Sequence, residues 1–583
     1  MKIKNLSLIS LLLVCFKVFS QSVDLAWSDM QVYDNKMEGF FSYFIGGNDK
    51  YLYAFFDNKN RNVNKRKINF VAYDTKSMAK VSDVTVVDRK NSETSKEYRG
   101  LYYYKTIVFN DVIYTFWTKE SNEKDELFVQ SFDAKLKPIN KLKKIYELTS
   151  GKKSAKKAEL FVMANTKNSQ SIIIGGELSG EKGQSIKVEY KVLKSDFSFA
   201  SAGQVTLPVI ITGKSNGLTS DYSYGDDGNL HVETSVMIPA EERKSLKKNE
   251  SHSYTIYSIV DVVKNDIRSY PLKFENKNIF DVGVVTQKGV VKIFGFYCDL
   301  LKDPKGVDTH GIFYSEINPS TKELEKLNFT NFTKQQLDAL FAGDSEDRKD
   351  RAGILSGKKK KKSEEESLGS NYQIEQVKSF DEKYLTIFCS LMYNYTRTVC
   401  DQRGNCRTYY YCNKRNVTAF KIDNFGNIVW ASNLDRAMTY SGWNIKDLSV
   451  VSPDGKKFYV SYGSSYSKDS KRKNSFNKKT GKHMRDYFEY AIFDYNSGQF
   501  SKEEYEINPP GTKTNERKFI SAADIQIINE KFYLNSERIK IKPGKLIGGC
   551  LLSIACPPVG ILMLNNPNSK RGTGYLGVMS FGN

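Results

Sequence analysis

Histidine, the residue most often used for acid–base chemistry and metal binding near neutral pH, is scarce in this chain. The 583 residues include four, His231, His252, His310 and His483, and each is far from the others in sequence. The His-Glu-x-x-His pattern of metalloproteases is absent. The histidines therefore indicate no enzyme class, and an active site would have to be assembled from residues that are distant along the chain.

Aspartate-rich segments offer the oxygen ligands that calcium prefers. Asp226-Asp227-Gly228-Asn229 and Asp454-Gly455 are the two clearest cases. Asp, Asn and Gly are also the residues that tight turns require, and both segments lie between alternating runs typical of strands. Hairpin turns explain them without a metal ion, so we predict no calcium site and no cofactor. Zinc is not expected either, because the cysteine spacings do not suit a tetrahedral site.

Four of the eight cysteines are placed where disulfides could form. Cys400 and Cys406 flank a five-residue turn, so a cross-strand disulfide between them is predicted, and Cys406 with Cys412 has the same spacing and is the alternative. Cys550 and Cys556 could close a loop near the C-terminus. Cys298 and Cys389 lie in apolar strand patterns and are interpreted as core residues.

The first twenty residues have the pattern of a secretory signal peptide. Lys2 and Lys4 precede an apolar run from Leu6 to Phe16, and Val18-Phe19-Ser20 is typical of a cleavage site. A lipoprotein signal that uses Cys15 is the alternative, although a valine precedes it where such signals carry a small residue. Either signal predicts that the protein is exported to the periplasm or cell envelope, or secreted. The rest of the chain, 21–583, is expected to form a single domain. Disulfides can persist in such compartments.

The chain is strongly basic, with 88 Lys and Arg against 67 Asp and Glu and a net charge of +21. Because an exported protein does not normally meet nucleic acid, an anionic glycan, an anionic lipid surface or an acidic envelope protein is the expected partner. The predicted binding residues are Lys471, Arg472, Lys473, Lys478, Lys479 and Trp443. A second basic segment spans 141–157, and others include 243–248 and 358–362. The alternative is that these runs are solvated loops that serve solubility.

Two further segments interrupt the pattern. In 328–371, Thr333-Lys-Gln-Gln336 resembles a capping box that opens a short amphipathic helix, and a charged stretch expected to be disordered follows it. Residues 546–564 are apolar, but Pro557-Pro558 would break a helix. We interpret 546–564 as an apolar loop that is buried against the protein, with docking on a membrane or partner, or a membrane span, as the alternatives.

The elements that must position these residues are repeated hairpins. Eight pairs of alternating strands joined by tight turns can be identified, and their second strands begin near residues 51, 112, 171, 229, 290, 384, 458 and 532. Seven further hairpins lie between them, which makes each repeat a four-stranded meander. Repeated four-stranded units are the blades of a β-propeller, so we predict an all-β propeller with eight blades, seven being the alternative. The strand missing from the last blade is expected from Val23 to Tyr33.

Long segments are expected on one face of the propeller. In a meander blade the first and third connections lie at one end and the second connection and the link to the next blade lie at the other. The first set is short throughout, and the second holds the long and basic segments, among them the loops predicted over 141–157 and 394–412. Long loops on a rigid scaffold are where binding usually resides. We therefore predict a basic, long-loop binding face.

The repeat includes turn motifs such as Lys421–Trp430 (KIDNFGNIVW) and Ser452–Tyr462 (SPDGKKFYVSY). With these motifs, the arrangement of hairpins resembles a group of secreted, propeller-like proteins of Bacteroidetes that have no assigned activity. The resemblance implies a cell-envelope setting and no chemistry. The function predicted is that of a non-catalytic envelope binding or scaffold protein. The alternative is a propeller hydrolase or lyase that acts on an acidic polysaccharide.

Overall fold

The computed structural model describes residues 23–33, 40–57, 67–88, 96–121, 124–149, 159–165, 171–178, 180–211, 219–238, 240–246, 250–303, 306, 308–318, 320–341, 368, 371–400, 406–442, 445–463, 475–477, 482–513, 516–541 and 570–581. The chain divides into two compact units. The terminal unit holds Met1–Asp88, Asp447–Gly463 and Asp469–Asn583, and the central unit holds Arg89–Lys446 and Ser464–Lys468.

Strands dominate both units, and their bounds follow in chain order. An N-terminal pair, β1 (Val23–Trp27) and β2 (Gln31–Tyr33), precedes blade 1, which comprises β3 (Phe40–Gly47), β4 (Tyr51–Asp57), β5 (Lys67–Asp74) and β6 (Lys80–Asp88). Blade 2 comprises β7 (Tyr102–Phe109), β8 (Val112–Glu120), β9 (Lys124–Phe132) and β10 (Lys143–Thr149). Blade 3 comprises β11 (Glu159–Asn165), β12 (Ser171–Glu177), β13 (Ser185–Lys194) and β14 (Phe199–Ile210).

Blade 4 comprises β15 (Thr219–Tyr224), β16 (Leu230–Met237), β17 (Ser253–Asp261) and β18 (Asp266–Leu272), with helix α1 (Ala240–Arg243) after β16. Blade 5 comprises β19 (Lys277–Gln287), β20 (Val290–Asp299), β21 (Gly311–Ile317) and β22 (Leu324–Asn331), and helix α2 (Lys334–Phe341) follows it. Blade 6 comprises β23 (Tyr372–Lys378), β24 (Tyr384–Cys400), β25 (Cys406–Asp423) and β26 (Ile428–Ser441).

Blade 7 comprises β27 (Ser449–Val451), β28 (Lys457–Ser461), β31 (Tyr487–Asp494) and β32 (Phe500–Glu506), and a small hairpin of β29 (Ser475–Asn477) and β30 (Lys482–Met484) lies between β28 and β31. A 3-10 turn, Ala522–Asp524, leads into blade 8, which comprises β33 (Gln526–Ile528), β34 (Lys531–Ile541) and β35 (Lys570–Phe581).

In blades 1 to 6, each sheet is an antiparallel meander in which strands adjacent in sequence are adjacent in space, and in blade 7 the β29–β30 hairpin intervenes between the paired strands β28 and β31. Blade 8 is completed by the N-terminus, because β1 pairs with β35 from Val23 opposite Phe581 to Trp27 opposite Gly577. The predicted fold class, an all-β propeller of eight four-stranded blades, is confirmed, as is the N-terminal origin of the missing strand. Blades 2 to 6 form the central unit, and blades 1, 7 and 8 belong to the terminal unit.

The second strand of a blade reads as an uninterrupted apolar run where both of its faces are covered. All seven residues of β4, YLYAFFD, are buried, and so are all seven of β12. The core lies between neighbouring blades of a unit: Phe294 and Phe296 of blade 5 share one cluster with Leu385 and Phe420 of blade 6. Burial of such side chains contributes about 1.5–3 kcal/mol each.

The turns between third and fourth strands share one design. In each, an Asp or Asn side chain accepts a hydrogen bond from the backbone N–H two residues on, at Asp74, Asp133, Asp196, Asp261, Asn318, Asp423 and Asp494. Each turn then passes through a left-handed residue, namely Met78, Leu136, Phe197, Asn265, Lys322, Gly426 or Gly498. At Gly426, a Cβ atom would lie 2.5 Å from Cβ of Tyr314 in the preceding blade, so glycine is required there.

These turns also hold the blades of the central unit together. Side chains of one blade donate hydrogen bonds to turn atoms of the next: Tyr114 to the carbonyl of Ser195 (2.7 Å), Tyr190 to Oδ1 of Asn265 (3.1 Å), Tyr270 to the carbonyl of Lys322 (2.7 Å) and Thr330 to the carbonyl of Gly426 (2.8 Å). The repeated turn sequence therefore specifies both a hairpin and a contact between blades.

Helix α2 begins with the expected capping box. The Thr333 backbone N–H donates to Oε1 of Gln336 (2.9 Å), and the Gln336 N–H donates to Oγ1 of Thr333 (3.2 Å). Leu337 and Leu340 are buried in the cluster shared by blades 5 and 6. Disorder is predicted from Asp344 to Ser370, and all of this stretch except Leu368 lies outside the described residues. Leu368 is buried in the same cluster as helix α2, so the prediction is wrong at that residue.

The sequence suggested that the basic segment 141–157 is one loop, but part of it is a strand. Lys143 and Lys144 belong to strand β10, where Nζ of Lys144 contacts Glu126 and Glu147 at 2.9 Å each. Both lysines are therefore strand residues, and Lys144 pairs with acidic neighbours on its own blade. The alternating Lys-Lys-Ile-Tyr-Glu-Leu-Thr pattern of β10 is the signal that identifies the strand.

Candidate functional site

All six residues predicted to bind a ligand lie outside the described residues. These are Lys471, Arg472, Lys473, Lys478, Lys479 and Trp443, and the same holds for Cys550, Cys556 and the apolar segment 546–564. The structure therefore neither gathers nor separates them. Of the predicted site residues, Cys400 and Cys406 are placed, and they lead to a feature of blade 6 that the sequence analysis had interpreted as a loop.

Strands β24 and β25 extend beyond the rest of blade 6. They are 17 and 18 residues long, and they pair without interruption from Leu391 opposite Arg415 to Cys400 opposite Cys406. The neighbouring strands stop earlier. The last pair that β23 makes is Tyr372 opposite Leu391, and the last pair that β26 makes is Ser441 opposite Tyr411. Residues 394–400 and 406–411 thus extend beyond the four-stranded part of the blade, with β26 still alongside at Tyr411, and we call this extension the ribbon. The prediction of a long loop over 394–412 was wrong, and the alternating, β-branched and aromatic sequence explains why strands form there.

One face of the ribbon carries tyrosine and arginine. Tyr395, Arg397 and Val399 are two residues apart and share this face, and Tyr411 and Tyr409 lie opposite the first two in register. The rings of Tyr395 and Tyr411 stack with centroids 5.1 Å apart and planes 18° from parallel. Tyr395 and Tyr409 are 44% and 43% exposed, and Arg397 is exposed. We call these five residues the Tyr–Arg face.

The other face of the ribbon carries threonines and a further exposed tyrosine, Tyr410, and the register places the two cysteines opposite each other at its end. The hydroxyls of Thr398 and Thr408 lie 3.0 Å apart, and Cys400 is directly opposite Cys406. The alternative pair is ruled out because Cys406 and Cys412 lie on one strand, where six residues span about 20 Å, whereas a disulfide needs Cα atoms within about 7 Å. The register is compatible with the Cys400–Cys406 link, which stays a prediction.

A second candidate site consists of carboxyl groups on the first two strands of blades 4 to 6, which sequence reasoning missed. Asp221 of β15 lies directly opposite Glu233 of β16. Burial, followed by the charges of Asp221 and Asp281, raises the pKa of Glu233 to about 7. Burial raises the pKa of Asp281 to about 7 despite a hydrogen bond from the Ile374 N–H, and the charge of Glu375 adds to the rise. Carboxyl groups of this kind can exchange protons near neutral pH.

One member of this group, Glu375, is paired with buried cations. Nζ of Lys414 lies 2.6 Å from Oε2 of Glu375, and Nη2 of Arg436 lies 3.5 Å from Oε1. The same Arg436 nitrogen donates to Oγ of Ser390 at 2.6 Å. The Lys414 and Arg436 side chains are 2% and 0% exposed, so a polymeric substrate cannot reach them. They stabilise the charge of Glu375 within blade 6.

The described histidines do not form one site. His231 is buried, with Nε2 2.8 Å from Oδ1 of Asp227 and Nδ1 2.5 Å from Oη of Tyr257. Although burial raises it, the pKa of Asp227 is lowered to about 2, chiefly by the His231 hydrogen bond. Asp227 also accepts the Asn229 N–H, which is the turn geometry proposed in place of a calcium loop. His310 is buried in blade 5, and His252 lies in the segment before β17.

Two short glycine patterns were overlooked in the sequence. Gly213-Lys-Ser-Asn-Gly217 matches the nucleophile elbow of hydrolases, and it lies outside the described residues. Gly572-Thr-Gly-Tyr-Leu-Gly577 matches the dinucleotide fingerprint, which requires a strand-to-helix turn. It lies within strand β35, so it has no helix N-terminus to bind a phosphate.

Among the described residues, no group of three or more His, Cys, Asp or Glu side chains is arranged to hold a metal ion. In the same part of the chain, no helix is long and apolar enough to cross a membrane.

No family model matches the sequence, and no curated protein is similar to it. Solved structures with a related chain path include the WD40 domain of SCAP from fission yeast, which is 8% identical with a TM-score of 0.37 and covers 97% of this chain and 98% of that one. The β-propeller domain of the Trilobed protease from Pyrococcus furiosus is 9% identical with a TM-score of 0.33, covering 82% of this chain and 98% of that one.

Polysaccharide lyase Uly1 is 9% identical with a TM-score of 0.32 and covers 82% of this chain and 89% of that one. All three TM-scores are below 0.5, so no activity is carried over from these proteins. The assignment to the β-propeller class rests on the eight four-stranded sheets of the chain itself.

Proposed function

We propose that this protein is a non-catalytic binding or scaffold protein of the bacterial cell envelope. The observation that carries the proposal is the Tyr–Arg face, which is exposed on a paired ribbon beyond the four-stranded part of blade 6. Tyrosine and arginine are the side chains that most often dominate binding interfaces. Strand pairing holds them in place before a partner arrives, which lowers the entropy lost on binding.

The buried titratable groups support the same proposal. His231 is held by Asp227 and Tyr257, and Glu375 is held by Lys414. Groups that are buried and already paired stabilise the blades, and they cannot take a proton from a substrate without unfolding part of the sheet.

The competing function is a propeller hydrolase or lyase that acts on an acidic polysaccharide. Glu233 and Asp281 favour it, because both have a pKa near 7 and neither has a cation partner among the described ion pairs. Incubation with polygalacturonate, followed by measurement of new reducing ends and unsaturated products, distinguishes the two. We expect no turnover. Product formation that is lost in Glu233→Gln or Asp281→Asn would contradict the proposal.

We also propose that a basic segment binds polyanions of the envelope. Its residues are Lys471, Arg472, Lys473, Lys478 and Lys479. Exposed charges are screened over about 8 Å at physiological ionic strength, so binding to heparin or lipopolysaccharide should fall steeply with salt. Changing all five residues to Glu should abolish most of this binding with little effect on the melting temperature.

The matched control changes five exposed turn lysines to Glu, at Lys76, Lys135, Lys322, Lys383 and Lys456. It alters the net charge equally. If the two variants lose polyanion binding to the same extent, the charge acts diffusely and the basic segment is not a binding region.

A further inference from the structure

We infer that the Tyr–Arg face of the ribbon is a binding site for a polysaccharide that carries carboxylate or sulfate groups. The inference rests on the proposed function and names the ligand class of that surface. Its five residues are Tyr395, Arg397, Val399, Tyr409 and Tyr411.

The charge of the ribbon selects an anionic ligand. The ribbon, residues 394–400 and 406–411, contains Arg397 and Arg407 and no Asp or Glu. Arg397 is exposed, and the described residues provide no hydrogen bond or ion pair for its guanidinium. A guanidinium offers paired N–H donors that match the two oxygens of a carboxylate or sulfate group. An exposed arginine on the same face as three tyrosines is therefore suited to the acidic group of a sugar.

The aromatic rings suit the sugar itself. Tyr395 and Tyr411 stack nearly parallel on the ribbon surface, and Tyr409 is the next residue on the same face, about 6.8 Å further along the strand. The C–H face of a pyranose ring packs against such flat aromatic surfaces while its hydroxyls stay in water. Aromatic rings spaced along a strand can contact successive sugars of an extended chain, with Arg397 opposite Tyr409.

The composition of the ribbon disfavours a membrane and suits a hydrated ligand. Protein interfaces share its tyrosine and arginine, but their fully buried core is more apolar than the rest of the protein surface. The exposed part of the ribbon has one aliphatic residue, Val399, and otherwise carries hydroxyl, amide, guanidinium and aromatic groups. Thr396, Thr398 and Thr408 are exposed on the opposite face and add hydrogen-bonding groups. Such a surface matches a hydrated, hydroxyl-rich ligand better than an apolar one.

Isothermal titration of the full-length mature protein tests the assignment. The probes are polygalacturonate, which is carboxylated, dextran sulfate, which is sulfated, and neutral dextran. The test variants are Tyr395→Ala, Tyr409→Ala and Arg397→Ala. The controls are Tyr102→Ala and Arg99→Ala, which remove an exposed tyrosine and an exposed arginine from blade 2 and the segment before it. Melting curves confirm that all variants fold.

We expect at least one anionic polymer to bind and neutral dextran not to bind. Each test variant should raise Kd about tenfold or more, and each control should stay within about twofold. Arg397→Ala should also reduce the salt dependence of binding, whereas Tyr409→Ala should leave it unchanged.

Three outcomes would overturn the inference. Equal binding by test variants and controls would place any polyanion site elsewhere, with the proposed binding function intact. Equal affinity for dextran would refute an anionic ligand. Ribbon-dependent binding to an acidic protein or to anionic lipid vesicles, without binding to either anionic polymer, would replace the glycan with that partner. Cleavage of a polymer would instead contradict the proposed function itself.

Discussion

Asp281 illustrates how a single residue in this fold depends on its neighbours. It lies at a bulge in β19 with φ of +52°, and its carboxylate accepts the N–H of Ile374 from the first strand of blade 6. The bond joins two blades, yet the carboxylate is half-buried and close to the charge of Glu375. Burial and this repulsion favour the protonated form, which raises the pKa to about 7.

Replacement of Asp281 by Asn should stabilise the protein at alkaline pH. A carboxyl whose folded-state pKa is raised contributes stability that is complete below its unfolded pKa, about 3.9, and is lost as pH rises through its folded pKa. Asparagine keeps an oxygen to accept the Ile374 N–H and removes the charge. We expect Asp281→Asn to raise the free energy of unfolding by about 1–2 kcal/mol at pH 8 relative to the native chain, and by much less at pH 5.

Urea unfolding at several pH values measures this dependence, with the exposed Asp266→Asn as the control. A difference between native and Asp281→Asn proteins that does not change between pH 5 and 8 would show that Asp281 is charged throughout. Nothing in the sequence near Asp281 signals its pKa, because the groups that raise it come from another blade. For Glu233, burial and the charge of Asp221 on the neighbouring strand raise the pKa most, and Asp281 of blade 5 adds to the rise.

Secondary-structure elements were predictable where the turn chemistry is local. The second strands of the eight blades begin within one residue of the predicted positions, since Asp, Asn and Gly in the preceding turns leave few alternatives. Two errors have one cause. Both 141–157 and 394–412 were interpreted as loops on the basis of charge and length, but the alternating residues 143–149, 394–400 and 406–412 form strands that pair with neighbours.

The strand register of the ribbon supports the predicted disulfide between Cys400 and Cys406. Directly opposite positions on an antiparallel pair bring Cβ atoms to about 4.5–5.5 Å, close to what a disulfide needs. Peptide mapping of the exported protein without reduction should recover the Cys400–Cys406 link, and a Cys400→Ser variant should leave Cys406 open to alkylation. Recovery of both cysteines as alkylated thiols from the native protein would refute the link. Cys389, which is buried in blade 6, is the internal control and should resist alkylation until the protein unfolds.

At the scale of the molecule, the eight-fold repeat was predictable because each blade repeats the same turn and strand order. The approximately 60-residue period over the first five blades follows from this regularity, and the insertion before blade 6 follows from its charged composition. The candidate binding surface was not predictable in the same way. The Tyr–Arg face depends on β23 and β26 ending before their partners do, which is a property of the whole sheet.

We expect the N-terminal strand to stabilise the terminal unit. Strand β1 pairs with β35, and Val23, Leu25 and Trp27 pack against the cluster that blades 7 and 8 share in the terminal unit. Loss of β1 would uncover these apolar contacts and leave the edge of β35 unpaired, which exposes backbone groups and favours aggregation. Each apolar side chain removed costs up to about 1.5–3 kcal/mol.

Deletion of residues 22–35 should therefore lower the melting temperature sharply, and Leu25→Ser alone should lower it in the same direction by a smaller amount. Asp24→Ser is the matched control, because Asp24 is exposed on the same strand and its change leaves the apolar contacts intact. Differential scanning calorimetry of the four proteins distinguishes the effects. If the deleted protein melts like the native one, β1 contributes nothing to blade 8, and the pairing of the two ends of the chain does not stabilise the terminal unit.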